Sequence, residues 1–161
     1  MTVNKFGFEK FYTRGEWEQE PDEPEEWVHA ELRCYISRFR GHLNGYVGIP
    51  EGHPLYGKDY DYDAFCELEV HGGVTHSGKG DGEWRPEGSW WIGFDTAHAW
   101  DYQPPVEKVH MDVTNKAGPG EHETYRNWAY VKEQTESLAE QLAAMWQPPS
   151  YEEWREKVNK A

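Results

Sequence analysis

Only two cysteines, Cys34 and Cys66, occur in 161 residues. So low a number excludes the dense disulfide framework of a small secreted domain, and their separation excludes a CxxC zinc or redox pair. Both are expected to be reduced, buried thiols. No apolar run approaches the ~18 residues that cross a bilayer, so no membrane partner is expected. The opening residues, Met1 to Phe6, lack the charged, apolar and small-residue order of a secretion signal. The expected location is the cytoplasm. Basic residues are scarce too: 16 Lys and Arg stand against 30 Asp and Glu, for a net charge of −14. A polyanion would be repelled by such a molecule, which argues against direct nucleic-acid binding.

Motifs that would announce a chemistry are also missing. There is no HExxH, no HxHxDH, no paired HxT of the two-histidine phosphoesterases and no G-x-S-x-G elbow. Gly78-Lys79-Gly80-Asp81-Gly82 has the glycines of a phosphate loop without the strand before it, the helix after it or the Lys-Ser/Thr ending. Asp59, Asp61 and Asp63 alternate like the start of a calcium loop, but Ala64 and Val70 stand where that loop needs Gly and Glu. The chain has no internal repeat and no low-complexity tract.

Aromatic residues are plentiful instead: nine Trp, ten Tyr and six Phe make up 16% of the chain. Most of them are expected to build the core, and some to offer stacking surfaces for a planar ligand. Acidic residues cluster at Glu16, Glu18, Glu20, Asp22, Glu23, Glu25 and Glu26 with no Lys or Arg among them. That cluster reads as a solvated loop, with an acidic docking strip or nucleic-acid mimic as the alternative.

The length suits one domain over 1–161. It divides into an acidic, partly irregular segment (1–30), a sheet region (31–115) and a helical region (122–161). The fold class expected is α+β, a mostly antiparallel sheet of hairpins on one long helix plus a short terminal helix. Alternation from Leu32 to Ile49 predicts a hairpin whose turn is either Arg40-Gly41 or Asn44-Gly45. Cys66 to Val70 reads as a strand, with Gly72-Gly73 turning it into Val74-Thr75-His76. That register would put Glu69, His71 and His76 on one face. Trp90, Ile92 and Phe94 alternate with Trp91 in a strand apolar on both sides, which predicts an interior strand. Val106 to Val113 has room for a further short strand. Trp128, Val131, Thr135, Leu138, Leu142 and Met145 recur at helical spacing within Tyr125 to Trp146. Pro148-Pro149 ends that helix, and Ser150 with Glu153 forms a capping box for the short terminal helix.

Chemistry-bearing residues gather in two stretches, Glu69, His71 and His76 in one, and Asp95, His98 and Asp101 after the Trp90 to Phe94 strand in the other. Imidazoles and carboxylates brought to a common space can share acid and base roles or hold a divalent metal that activates water. His71, His76, Asp95 and His98 are the candidate catalytic set. The pattern names no particular cofactor. The plain alternative is structural: Asp95 as the cap of a following turn, His71 bonded to local backbone. Glu69, Trp91, Asp101, Arg38, Arg40 and His53 are the candidate ligand-binding residues. An aromatic wall with Arg33, Arg38 and Arg40 nearby suits a phosphate-bearing, nucleotide-like small molecule, unless those arginines serve to balance carboxylates. Self-association into a homo-oligomer is left open.

The chain also resembles a group of small uncharacterised proteins carried by phages and prophages. The resemblance rests on Gly41-His42-Leu43, Gly45 to Pro54, Val70-His71-Gly72-Gly73, Trp90 to Asp95 with Ala97-His98, and Tyr125 to Leu142. It brings no established activity, so no residue role is carried over. What it implies is a setting, a bacterial host cell. There a small phage protein would act against host defence by capturing or cleaving a nucleotide signal, or by binding a host protein.

Overall fold

The computed structural model describes residues 15–104 and 122–146. Five strands lie in these residues: β1 (Glu25–His29), β2 (Leu32–Phe39), β3 (His42–Ile49), β4 (His76–Lys79) and β5 (Trp90–Asp95). They form one sheet in the order β1-β2-β3-β5-β4, every neighbouring pair antiparallel. A single long helix, α1 (Trp128–Ala144), packs on it. The expected α+β class with an antiparallel sheet and a long helix is the observed one.

Alternation decides which face of the sheet meets the helix. Leu32, Cys34 and Ile36 of β2, Leu43, Val47 and Ile49 of β3, and Ile92 and Phe94 of β5 bury against Val131, Leu138 and Leu142 of α1. Each such side chain contributes about 1.5–3 kcal/mol when fully buried. As expected for an interior strand, β5 is covered on both faces: Trp91 is buried as completely as Ile92 and Phe94. The face away from the helix carries Tyr35, Ser37 and Phe39 of β2 beside Asn44 and Tyr46 of β3. The loop joining β4 to β5 folds back over part of it, held where Trp91 Nε1 donates to the Pro86 carbonyl at 2.8 Å.

Of the two turns left open for the first hairpin, Arg40-Gly41 is the one used, with φ of 50° and 91° at the two positions. Both central residues of this turn type need positive φ, which suits glycine at the second. Asn127 caps the start of α1, its side chain accepting from the Tyr130 amide at 2.8 Å.

Several expectations are corrected. Cys66 to Val70 is not a strand: Asp63–Glu67 forms a short 3-10 turn and the chain then runs extended along α1. Helix side chains stand in for a strand partner there. Gln141 Oε1 accepts from Glu69 N at 2.7 Å and its amide donates to Glu69 O, while Gln134 accepts from His71 N at 2.9 Å. The turn lies one residue earlier than expected, closed by Gly73 N donating to Val70 O, and β4 pairs with β5 instead. Cys66 is exposed; only Cys34 is buried, and burial pushes its thiol up to about 12. The sheet begins at Glu25, inside the acidic segment. That segment is paired as well as solvated: Glu26 with Arg33, Glu25 with Lys132, Glu20 with Arg38. Helix α1 is shorter than the span expected, and Met145 beyond its end is exposed. The strand expected at Val106 to Val113 and the short terminal helix lie outside the described residues. Among the described residues no helix is long and apolar enough to cross a membrane.

Candidate functional site

Three pieces of chain meet at one end of the sheet: the turn Val70–Gly73, the segment following β5, and the start of α1. Asp95, the last residue of β5, is held by two bonds. Its Oδ1 accepts from the Ala97 amide at 3.1 Å, and its Oδ2 from the Thr75 hydroxyl at 3.2 Å. The next six residues double back so that the Asp101 amide donates to the His98 carbonyl. Asp101 thereby turns its carboxylate inward, where the side chain is wholly buried.

Four donors satisfy that carboxylate. His71 Nε2, His98 Nδ1 and Arg126 Nε each approach it at 2.9 Å, and the His98 amide at 3.0 Å. Burial by itself would raise the Asp101 pKa; the hydrogen bonds from His71, His98 and Arg126 outweigh it and hold the group below its ordinary value. An ionised carboxylate only accepts, so both imidazoles donate to it. His71 then takes the Tyr130 hydroxyl on its other nitrogen, Nδ1, at 2.8 Å. His98 keeps Nε2 turned away from Asp101 and toward Asp95, whose Oδ1 is 3.7 Å off. The His98 ring is stacked on Trp100, centroids 5.1 Å apart and planes within 8°.

The structure thus unites His71, Asp95, His98 and Asp101, drawn from both stretches nominated in the sequence. It excludes the others. His76 lies on β4 against Tyr46, and burial with the nearby Arg85 charge lowers its pKa to about 4. Glu69 is exposed on the stretch running along α1, because the hairpin that would have aligned it with His71 is not formed. His53 is buried, both ring nitrogens spent on backbone: Nδ1 accepts from Leu55 N at 3.0 Å and Nε2 meets the Leu142 carbonyl at 2.8 Å. Trp91 is core. Arg38 is bound to Glu20, Tyr125 and the Gly41 carbonyl, and Arg40 sits on the first hairpin turn over the Phe39 ring. Two arginines of the patch expected for phosphate are therefore taken up in pairing, Arg38 with Glu20 and Arg33 with Glu26.

Tyr130, Arg126 and Thr75 complete the cluster and were not nominated from sequence. Tyr130 falls between the periodic apolar positions Trp128 and Val131, and nothing local marks Arg126 as the partner of Asp101.

A second place emerges on the sheet face opposite the helix. A hollow of about 400 Å³ is lined chiefly by Tyr35, Phe39, Asn44, Tyr46, Trp84 and Arg85, with Asp22 and Glu83 on its wall. Trp84 stands edge-on to Phe39, and the Arg85 guanidinium lies 5.4 Å over the Tyr46 ring. Asn44 is 8% exposed, yet its Oδ1 has no hydrogen-bond partner among the described residues. Asn44 is also the direct cross-strand neighbour of Asp95. Opposed residues project to the same face at close range, so the inner end of the hollow adjoins the His98 end of the cluster through one rung of the ladder. The alternation of Tyr35, Ser37 and Phe39 was the available signal, but it acquires meaning only once the turn at Arg40-Gly41 sets the register with Asn44 and Tyr46.

Comparison of the chain with protein-family models, with curated proteins and with solved structures finds no match in any of the three.

Proposed function

We propose that this protein binds a small nucleotide-like ligand in the hollow on the open face of its sheet. The observation that carries the reading is Asn44: it lines a cavity rich in aromatic rings, and its buried side-chain carbonyl has no partner among the described residues. Leaving such a group unsatisfied costs about 1–3 kcal/mol, which a donor on the ligand recovers. An exocyclic amine or ring N–H of a base is such a donor. Tyr46, Phe39 and Trp84 supply faces and edges for a planar ring, and Arg85 a cation beside Arg38, which lines the same hollow while paired with Glu20. Asp22 and Glu83 on the same wall disfavour a polyphosphate, so a nucleoside, a monophosphate or a cyclic nucleotide fits better than a triphosphate. The volume lies in the range of small-ligand pockets. In the phage setting that the resemblance implies, capture of such a molecule would act as a counter-defence sponge.

A second reading, hydrolysis, is favoured by one observation. Asp101 fixes His98 through Nδ1, which leaves Nε2 as the basic nitrogen beside Asp95. A histidine so oriented is suited to general-base work.

Calorimetric titration with adenosine, AMP, GMP and a cyclic dinucleotide tests the first reading. One member of the panel is expected to bind at micromolar Kd, with Asn44→Ala and Trp84→Ala each weakening it about tenfold or more. No binding by any of the four at millimolar concentration would refute it. Chromatography of the ligand after denaturing the complex separates the two readings: intact ligand means capture, and altered ligand means chemistry dependent on His98.

A further inference from the structure

The two ends of the cluster differ in what they leave free. His71 spends both ring nitrogens, on Asp101 and Tyr130, and Asp101 takes four donors while buried. This inner pair is closed. His71 Nε2 and His98 Nδ1 each spend their proton on Asp101 at 2.9 Å, hydrogen-bond distance. The outer pair is spaced differently. His98 Nε2 and Asp95 Oδ1 are 3.7 Å apart, and their side chains are 19% and 35% exposed.

We infer that His98 Nε2 and Asp95 Oδ1 are the two protein ligands of a divalent transition-metal ion, with Asp101 as the residue that orients His98 from behind. Metal–nitrogen and metal–oxygen distances of about 2.0–2.2 Å put two ligands of one ion roughly 2.8–3.8 Å apart, for angles between about 90° and 120°. The pair falls inside that range as it stands.

The surroundings are those of a ligand set. Histidines that bind metal almost always donate their other N–H to a carboxylate or carbonyl, which fixes the tautomer and the ring plane. Here Asp101 does so, itself anchored by Arg126 and His71. Asp95 is steered by Thr75 and the Ala97 amide, which leave Oδ1 a second lone pair. Trp100 stacked on one face of the His98 ring limits its rotation, and Gly72 leaves room for it on another side. One imidazole with one carboxylate suits zinc, manganese, cobalt or nickel better than calcium, which takes oxygen alone. Two protein ligands leave the remaining positions to water, so the ion would be open to a ligand reaching past Asn44 from the hollow.

This inference stands on the strand-end geometry and does not depend on the nucleotide reading. The test uses the full chain stripped with chelator and titrated with Zn²⁺ alone. One equivalent is expected to bind at micromolar Kd. The imidazole ¹⁵N spectrum should report Nε2 of one histidine metallated while its Nδ1 keeps its proton. His98→Gln and Asp95→Asn should each weaken binding about a hundredfold or more, and Asp101→Asn by roughly ten- to a hundredfold. His29, which lies between Glu136 and Glu140 on the surface, is the competing site. Loss of binding in His29→Gln with retention in His98→Gln would overturn the assignment, as would no binding at 1 mM Zn²⁺. If a variant fails to fold, the wild-type ¹⁵N spectrum still decides, because a metallated nitrogen with Nδ1 as the coordinating atom contradicts the inference.

Discussion

The His98 ring lies directly against Gly72: a Cβ built on that glycine would fall 2.1 Å from Cε1 and 2.3 Å from Nε2 of the imidazole. Gly72 also has φ of +69°, and its neighbour Gly73 has φ of +82° with nothing within 4 Å of its own Cβ position. The two glycines therefore separate backbone strain from crowding. Gly73→Ala carries only the left-handed penalty, about 1 kcal/mol. Gly72→Ala carries that and must also push the His98 ring off Trp100 and Asp101. Urea unfolding is expected to cost both variants about 1 kcal/mol or more, with Gly72→Ala the worse. The His98 Cε1–H resonance should move in Gly72→Ala alone. Equal shifts in both would mean that the turn, not the ring contact, sets the position of His98.

Gly45 meets α1 more closely than any side chain would allow. A Cβ there would lie 2.2 Å from Thr135 Oγ1 and 2.6 Å from the Phe94 ring, all in the core between β3, β5 and the helix. Gly45→Ala is expected to destabilise the fold by about 2 kcal/mol or more, since an extra methyl in a packed interior forces neighbours off their rotamers. Thr135 cannot swing aside freely because its hydroxyl donates to the Val131 carbonyl at 2.7 Å. Thr135→Ala removes the nearest obstacle. The double variant should thus recover part of the loss, measured as a non-additive denaturation midpoint.

Much of the architecture was legible because it follows from alternation. Trp90 to Phe94 and the α1 periodicity each lie on a face that burial makes obligatory. The sequence left the first turn open between Asn44-Gly45 and Arg40-Gly41 for a physical reason: Gly45 serves close packing against Thr135 and Phe94, and the turn fell to Arg40-Gly41. The stretch before His71 alternates like a strand, but its backbone groups are satisfied by Gln134 and Gln141, side chains some seventy positions away whose pairing has no local signature. His71, Asp95, His98 and Asp101 could be nominated as residue types. Their union through one buried carboxylate could not, and His53 could not be told from them until its backbone partners were known.

Glu20 ties the acidic segment to the helix. Its Oε1 accepts from Arg38 Nη2 at 3.0 Å and from the Tyr125 hydroxyl, and its Oε2 from the Trp128 amide at 2.8 Å, at the first turn of α1. The Glu20 and Arg38 side chains are each 12% exposed. Glu20→Ala would leave a largely buried guanidinium without its counter-charge and a helix amide without its acceptor, a loss of about 3 kcal/mol. Glu20→Gln keeps an oxygen for the helix amide and should lose less. Thermal unfolding of the two variants checks the order; an Ala variant no worse than Gln would show that the ion pair contributes little.

Acid should destabilise the fold before its carboxylates titrate. His76, His42 and His53 are all held below the ordinary imidazole value, burial being the main cause in each, and His76 is brought to about 4. In the unfolded chain they titrate near 6.5. The unfolded state therefore binds more protons as pH falls through 6.5, and stability present above that point is lost progressively toward pH 4. For His76 the loss is of the order of 2–3 kcal/mol. Asp101 acts in the same sense but lower: its pKa is depressed, so its contribution is present above the ordinary carboxylate value and is lost as pH falls below it. Nε2 of His76 is buried with no partner among the described residues, which makes Phe a fair replacement for the ring. His76→Phe is expected to match the wild type within about 1 kcal/mol at pH 7.5. Between pH 7.5 and 4.5 its urea midpoint should fall less steeply than the wild type's. Parallel slopes would assign the acid sensitivity to His42 and His53 instead, the two whose rings lie at the closed end of β3 and beneath the end of α1.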